Sequence, residues 1–150
     1  MLRVANPLDS LIVLQDDYST DLYDLQTNTV KFSFQKVFRS VCFHDTRLVC
    51  DYQAYDLTSF ELVGSFREDF KDLTTTCSVS FNEWLIYGHE KCGMVTLYSW
   101  NRALKRYDLV LKKYTLWKGD VHLGPMCVNQ MQVAYKDDLH CILYAVCQRK

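Results

Sequence analysis

The chain has 150 residues, 49% of them apolar and 14% aromatic, with five glycines, two prolines and a net charge of −1. That is enough chain for one domain with a real core, and it excludes a disordered composition. A charge near zero removes any global pull toward nucleic acid or an anionic membrane, and no apolar run approaches the length of a membrane span.

The N-terminal stretch MLRVANPLDS has no long apolar core after its arginine, so it is not read as a secretory signal. Its residues 2–5 predict a first strand, with 6–10 as the turn that follows. Short apolar bursts then recur along the chain: LIVL (11–14), VKFSF (30–34), SVCF (40–43), RLVC (47–50) and ELVGSF (61–66). Residues 67–73 are the best helix candidate, one or two turns at most. Strand-like runs resume with SVSF (78–81), WLIY (84–87), MVTLY (94–98), PMCV (125–128), MQVAY (131–135) and CILYAV (141–146). Polar clusters such as Gln15-Asp16-Asp17, Gln26-Thr27-Asn28 and Lys136-Asp137-Asp138 separate them. Short Val-, Ile-, Leu- and Tyr-rich runs between turn residues predict an all-β domain of many short strands.

An apolar–tyrosine pair recurs near the end of these runs, at Leu22-Tyr23, Ala54-Tyr55, Leu97-Tyr98 and Leu143-Tyr144. The intervals are 32 (Tyr23 to Tyr55), 43 (Tyr55 to Tyr98) and 46 residues (Tyr98 to Tyr144). Spacing of this order predicts one supersecondary unit stacked on copies of itself. The seven cysteines, Cys42, Cys50, Cys77, Cys92, Cys127, Cys141 and Cys147, contain no C-x-x-C pair. They read as free buried thiols in a reducing compartment rather than as a disulfide or zinc framework.

Leu22-Tyr23-Asp24-Leu25-Gln26-Thr27-Asn28 resembles the ending of a WD repeat, with Tyr for the usual Trp and Asn for the usual Gly. The Ser-Val-x-Phe segments are similar to that family's first strands, and Asp17 and Asp138 fall where it keeps a turn acid. His122-Leu123-Gly124-Pro125-Met126 is similar to its histidine-led first strand, whereas Gly88-His89 stands after a second strand instead. Kelch-type and other propellers stay open on these motifs. The resemblance implies a partial or small β-propeller of about four blades, at 1–36, 37–70, 71–120 and 121–150. The last blade would hold three strands and the tyrosines would anchor third strands. It also implies a half that needs a second half to close. A further likeness to F-box-and-WD-repeat receptors, without an F-box helix, implies substrate recognition in a ubiquitin ligase.

No HExxH, GxSxG, P-loop or glycine-rich nucleotide loop occurs, so no enzyme and no cofactor is expected. His44-Asp45, His89-Glu90 and His140 are expected at solvated turns. The acids Asp16, Asp17, Asp21 and Asp24 lack the glycine and terminal glutamate of a calcium loop and are expected to serve turns. A basic stretch, 102–118, carries Arg102, Lys105, Arg106, Lys112, Lys113 and Lys118 with Tyr107, Tyr114 and Trp117. It supports an alternative nucleic-acid or phosphate-binding role, against an exposed outer strand whose lysines discourage edge pairing. The main expectation is a non-enzymatic, intracellular protein-interaction module, cytoplasmic or nuclear. Its contacts are expected through Trp84, His89, Lys91, Trp100, Arg102 and Arg106, because aromatics beside arginine are the usual hot-spot types.

Overall fold

A computed structural model of the chain describes residues 1–6, 9–66, 75–90, 94–115, 126–135, 137 and 140–149. Among them every regular element is a strand. The first sheet holds β1 (Leu2–Ala5), β2 (Leu11–Gln15), β3 (Thr20–Asp24) and β4 (Thr29–Phe34), antiparallel and in chain order. The second holds β5 (Val41–His44), β6 (Arg47–Cys50), β7 (Gln53–Asp56) and β8 (Leu62–Phe66), and the third β9 (Thr75–Phe81), β10 (Trp84–His89), β11 (Met94–Asn101) and β12 (Arg106–Thr115). A two-stranded fourth sheet pairs β13 (Met126–Tyr135) with β14 (Cys141–Arg149). Among the described residues no helix is long and apolar enough to cross a membrane.

Three of the hairpin turns have only two residues, between His44 and Arg47, Cys50 and Gln53, and Phe81 and Trp84. Each begins with a residue in the left-handed region: Asp45 at φ 56, Asp51 at φ 50 and Asn82 at φ 50. Asp and Asn tolerate that conformation, which is why these tight turns sit where they do. Asp51 serves a second purpose, its carboxylate accepting the backbone N–H of Arg39 and of Ser40, each at 3.0 Å.

The sheets pack face to face through three apolar clusters. Leu11, Val13 and Leu22 of the first sheet meet Val41, Phe43, Leu48 and Cys50 of the second, with Phe38 from the linker. Cys42, Val49 and Ala54, on the opposite face of that second sheet, meet Leu85, Tyr87, Tyr98 and Tyr107 of the third. Ile86 and Val95, on the far face of the third, meet Val128 of the fourth. Alternate residues of β5 and β6 therefore serve different interfaces, and both strands are buried throughout. A strand covered on both faces reads as a continuous apolar run.

The second and third sheets also touch at their edges. Tyr107 and Arg106 of β12 lie opposite Phe66 and Ser65 of β8 in a short parallel bridge, and β5 runs beside β9. Between the faces lies an aromatic cluster in which Phe66 and Tyr107 stack with ring centroids 4.6 Å apart. Gly64 admits Trp100 to it. A Cβ there would stand 2.9 Å from the Ala54 Cβ and 3.2 Å from the indole. Gly64→Ala is expected to cost about 1 kcal/mol or more through this overpacking, read as a lower urea midpoint with an unchanged slope.

The repeat is less regular than its spacing. Tyr23, Tyr55 and Tyr98 do lie on third strands, β3, β7 and β11. Tyr98 is buried, whereas Tyr144 is 57% exposed and sits on β14, the second strand of its sheet. The expected separate strands at 125–128 and 131–135 are one strand, β13. Asn129 does not break it, and a bulge between Val128 and Gln130 absorbs the irregularity. The described fourth sheet has two strands, not three. The helix candidate at 67–73 and the motif at 122–125 lie outside the described residues.

Cys42, Cys50, Cys77, Cys141 and Cys147 are free thiols, and burial pushes Cys42 up to about 12. The turn acids act as turn chemistry predicts. Asp16 accepts the N–H of Tyr18 and of Ser19, each at 2.7 Å, which lowers its pKa. Asp24 accepts the Ser10 hydroxyl at 2.6 Å.

Candidate interaction site on the turn rim

The turns after β1, β5, β9 and β11 lie at one end of the stacked sheets. There they frame a cavity of about 480 Å³ whose lining includes Asn6, His44, Arg47, Asn82, Trp100 and Arg102. Its base is built from the interface of the second and third sheets. Arg47 opens β6 and is 6% exposed. Its guanidinium carbon lies 3.8 Å from the Trp100 ring centroid, a close cation–π contact. Its Nε donates to the Tyr107 hydroxyl at 3.2 Å.

A single proton order satisfies this network. Arg47 Nε can only donate, so the Tyr107 oxygen accepts from it. The Asn82 carbonyl, 2.6 Å from His44 Nε2, can only accept, so Nε2 carries the imidazole proton. His44 Nδ1, 2.7 Å from the Tyr107 hydroxyl, is left to accept that hydroxyl's proton. The chain runs from Arg47 through Tyr107 and His44 to Asn82, and it joins β6, β12, β5 and the β9–β10 turn. It requires neutral histidine. Burial lowers the His44 pKa below its ordinary 6.5, and burial pushes the Tyr107 phenol up to about 12.

The pH consequence follows from that direction. The unfolded chain binds a proton at His44 more readily than the folded one. The stability contribution is whole above the ordinary value of 6.5 and declines as pH falls from there toward the folded value. Urea midpoints are expected to fall as pH drops through that window, and His44→Gln should flatten the decline. An undiminished slope in that variant would assign the acid sensitivity elsewhere.

Of the six expected contact residues, the structure brings two to this cavity, Trp100 and Arg102. Arg102 also lines a neighbouring cavity of about 340 Å³ with Lys105 and Asp56. Trp84 opens β10 beside the rim and is partly buried. Arg106 is half-buried and ion-paired to Asp108, Nε to Oδ1 at 2.7 Å. His89 is fully buried at the far end of β10, its Nε2 2.8 Å from the Thr96 hydroxyl, so it is removed from any contact surface on this rim. Lys91 lies outside the described residues.

His44 and His89 are core histidines, not the solvated turn residues expected. Both ring nitrogens of His44 are engaged within the protein, so the imidazole offers no open position for proton transfer. Tyr107 is fully buried, so it cannot stack on a base, and Leu109 packs against the same core. That weakens the nucleic-acid alternative for the described part of the 102–118 stretch. The side chains of Lys112, Lys113, Tyr114, Trp117 and Lys118 lie outside the described ones. Sequence reasoning did not single out Arg47, and it named His44 and Tyr107 for other roles, as a turn histidine and as an aromatic of the basic stretch. The available signal was a charged residue opening the otherwise apolar run Arg47-Leu48-Val49-Cys50.

A scan against protein-family models and a search of curated proteins both return no match.

Proposed function

We propose that the chain is a non-enzymatic protein-interaction module built as part of a WD-like β-propeller, with the rim around Trp100 and Arg102 as its contact surface. The observation that carries this reading is the cavity on that rim, where a partly buried indole, a buried arginine and an exposed arginine converge beside the two-residue turns at Asp45 and Asn82. Aromatic and arginine side chains in a pre-formed pocket are the types that anchor protein interfaces. The propeller architecture is supported by a second cavity of about 840 Å³, into which β1, β5, β9 and β13 contribute Val4, Val41, Val79 and Met131, with Tyr144 and Val146 of β14 beside them. First strands gathered around a central hollow are what radially repeated sheets produce.

Ile142, Tyr144 and Val146 of β14 are 46%, 57% and 49% exposed on one face of the fourth sheet. Tyr144 and Val146 of that face line the same central cavity, so their exposure is toward the hollow. Within this reading, substrate recognition in a ubiquitin ligase is the role the WD-like resemblance suggests.

Affinity capture with the native chain is to be compared with a Trp100→Ala/Arg102→Glu double variant and with Tyr18→Ala, whose side chain is exposed on the opposite rim. Partners should be lost from the double variant and kept by Tyr18→Ala. The same proteins on all three baits would refute this rim as the contact surface.

A further inference from the structure

Arg47 is a buried cation with an incomplete set of partners. Its Nε is used by Tyr107 and one face by Trp100. Among the described residues no carboxylate stands within ion-pair distance of it. Its two Nη groups have no acceptor among the described residues either, and they are not sealed from solvent. Arg47 lines both the rim cavity and the neighbouring one, where Asp56 stands opposite it and is the nearby carboxylate a ligand must compete with. A guanidinium that has lost most of its water gains strongly from a bidentate oxyanion.

The charge layout selects which oxyanion. Asp45 and Glu83 are exposed on the turns at the mouth, while the positive charge of Arg47 is buried at the base. A phosphate ester would bring nearly two negative charges past those two acids. A carboxylate brings one, and its two oxygens match the guanidinium fork. A cavity of about 480 Å³ holds an acidic side chain together with part of its backbone.

We infer that this cavity takes the side-chain carboxylate of an aspartate or glutamate on a partner protein segment, held by the Nη groups of Arg47 above the Trp100 ring. The inference rests on the interaction-module reading and names the chemistry that the rim recognises. Arg47 is the anchor. Arg102 at the mouth draws the segment in.

The probe is N-acetyl-glutamate amide titrated into the native chain. The readout is the Trp100 indole N–H in nitrogen–proton correlation spectra, assigned with Trp100→Phe. A saturable shift is expected with this probe, and at least about tenfold weaker binding with the isosteric N-acetyl-glutamine amide. Arg47→Met should abolish the shift while leaving the dispersed spectrum of a folded chain. Equal shifts from the two probes, a shift that persists in Arg47→Met, or no saturable shift into tens of millimolar would each overturn the inference. Tighter binding of N-acetyl-phosphoserine amide would overturn the choice of carboxylate in favour of phosphate. Should Arg47→Met fail to fold, the glutamate–glutamine contrast on the native chain decides alone. Rim-dependent capture of a partner together with a silent glutamate probe would overturn this inference and leave the interaction module standing.

Discussion

Leu85→Ala is expected to lower the unfolding free energy by about 2–5 kcal/mol, the range for a fully enclosed leucine. Leu85 is 0% exposed on β10 and belongs to the cluster that joins the second and third sheets. Its neighbours in that cluster include Tyr87 and Tyr98, whose rings lie 5.7 Å apart at 86°. Rings held edge to face cannot collapse far into the space a leucine leaves, so most of the cavity would persist. Leu104→Ala is the control, because Leu104 is 57% exposed on the β11–β12 turn. It should stay within about 0.5 kcal/mol of the native chain. Urea denaturation of both variants checks this, and a Leu85 variant no weaker than the control would mean that the second and third sheets do not share a packed face.

Tyr107→Phe is expected to cost about 2–4 kcal/mol, because one lost hydroxyl strands two buried groups. Arg47 Nε loses its acceptor and His44 Nδ1 loses its donor. The phenyl ring keeps its stacking on Phe66, so the change isolates the polar network from the aromatic packing. In a domain of this length each kcal/mol moves the thermal midpoint by about 2–4 °C. The variant should also alter the acid dependence of stability, because a charged His44 would no longer disturb a tyrosine hydroxyl. A Tyr107→Phe chain as stable as the native one, with the same pH profile, would break the proton order assigned to the network.

The strands were legible because their signals are local. Tight turns at Asp45, Asp51 and Asn82 and the apolar runs between them place β5, β6, β9 and β10 close to where the residues alone suggest. The fourth sheet was read less well. Asn129, between Val128 and Met131, is a residue type that suggests a turn, and only pairing with β14 shows that β13 continues through. The tyrosine spacing located third strands in three sheets, but it carried no information on burial, which differs between Tyr98 and Tyr144.

The site was half legible. Trp100 and Arg102 were expected as contacts from residue type, and they do line the rim cavity. Its base, Arg47 with His44 and Tyr107, was hidden for a physical reason. His44 and Tyr107 are 63 residues apart and Arg47 and Tyr107 are 60 apart, and they meet only because two sheets pack face to face. Charge and polarity in a sequence suggest exposure, and the rule fails where partners from distant strands satisfy a buried group. Residue types and their short-range alternation were thus sufficient for an all-β chain of hairpins. Tertiary packing alone decided which faces were covered, which histidines were enclosed and where an arginine could be held at the base of a cavity. Alternation along a strand is a property of neighbours in the chain, whereas desolvation is a property of neighbours in space.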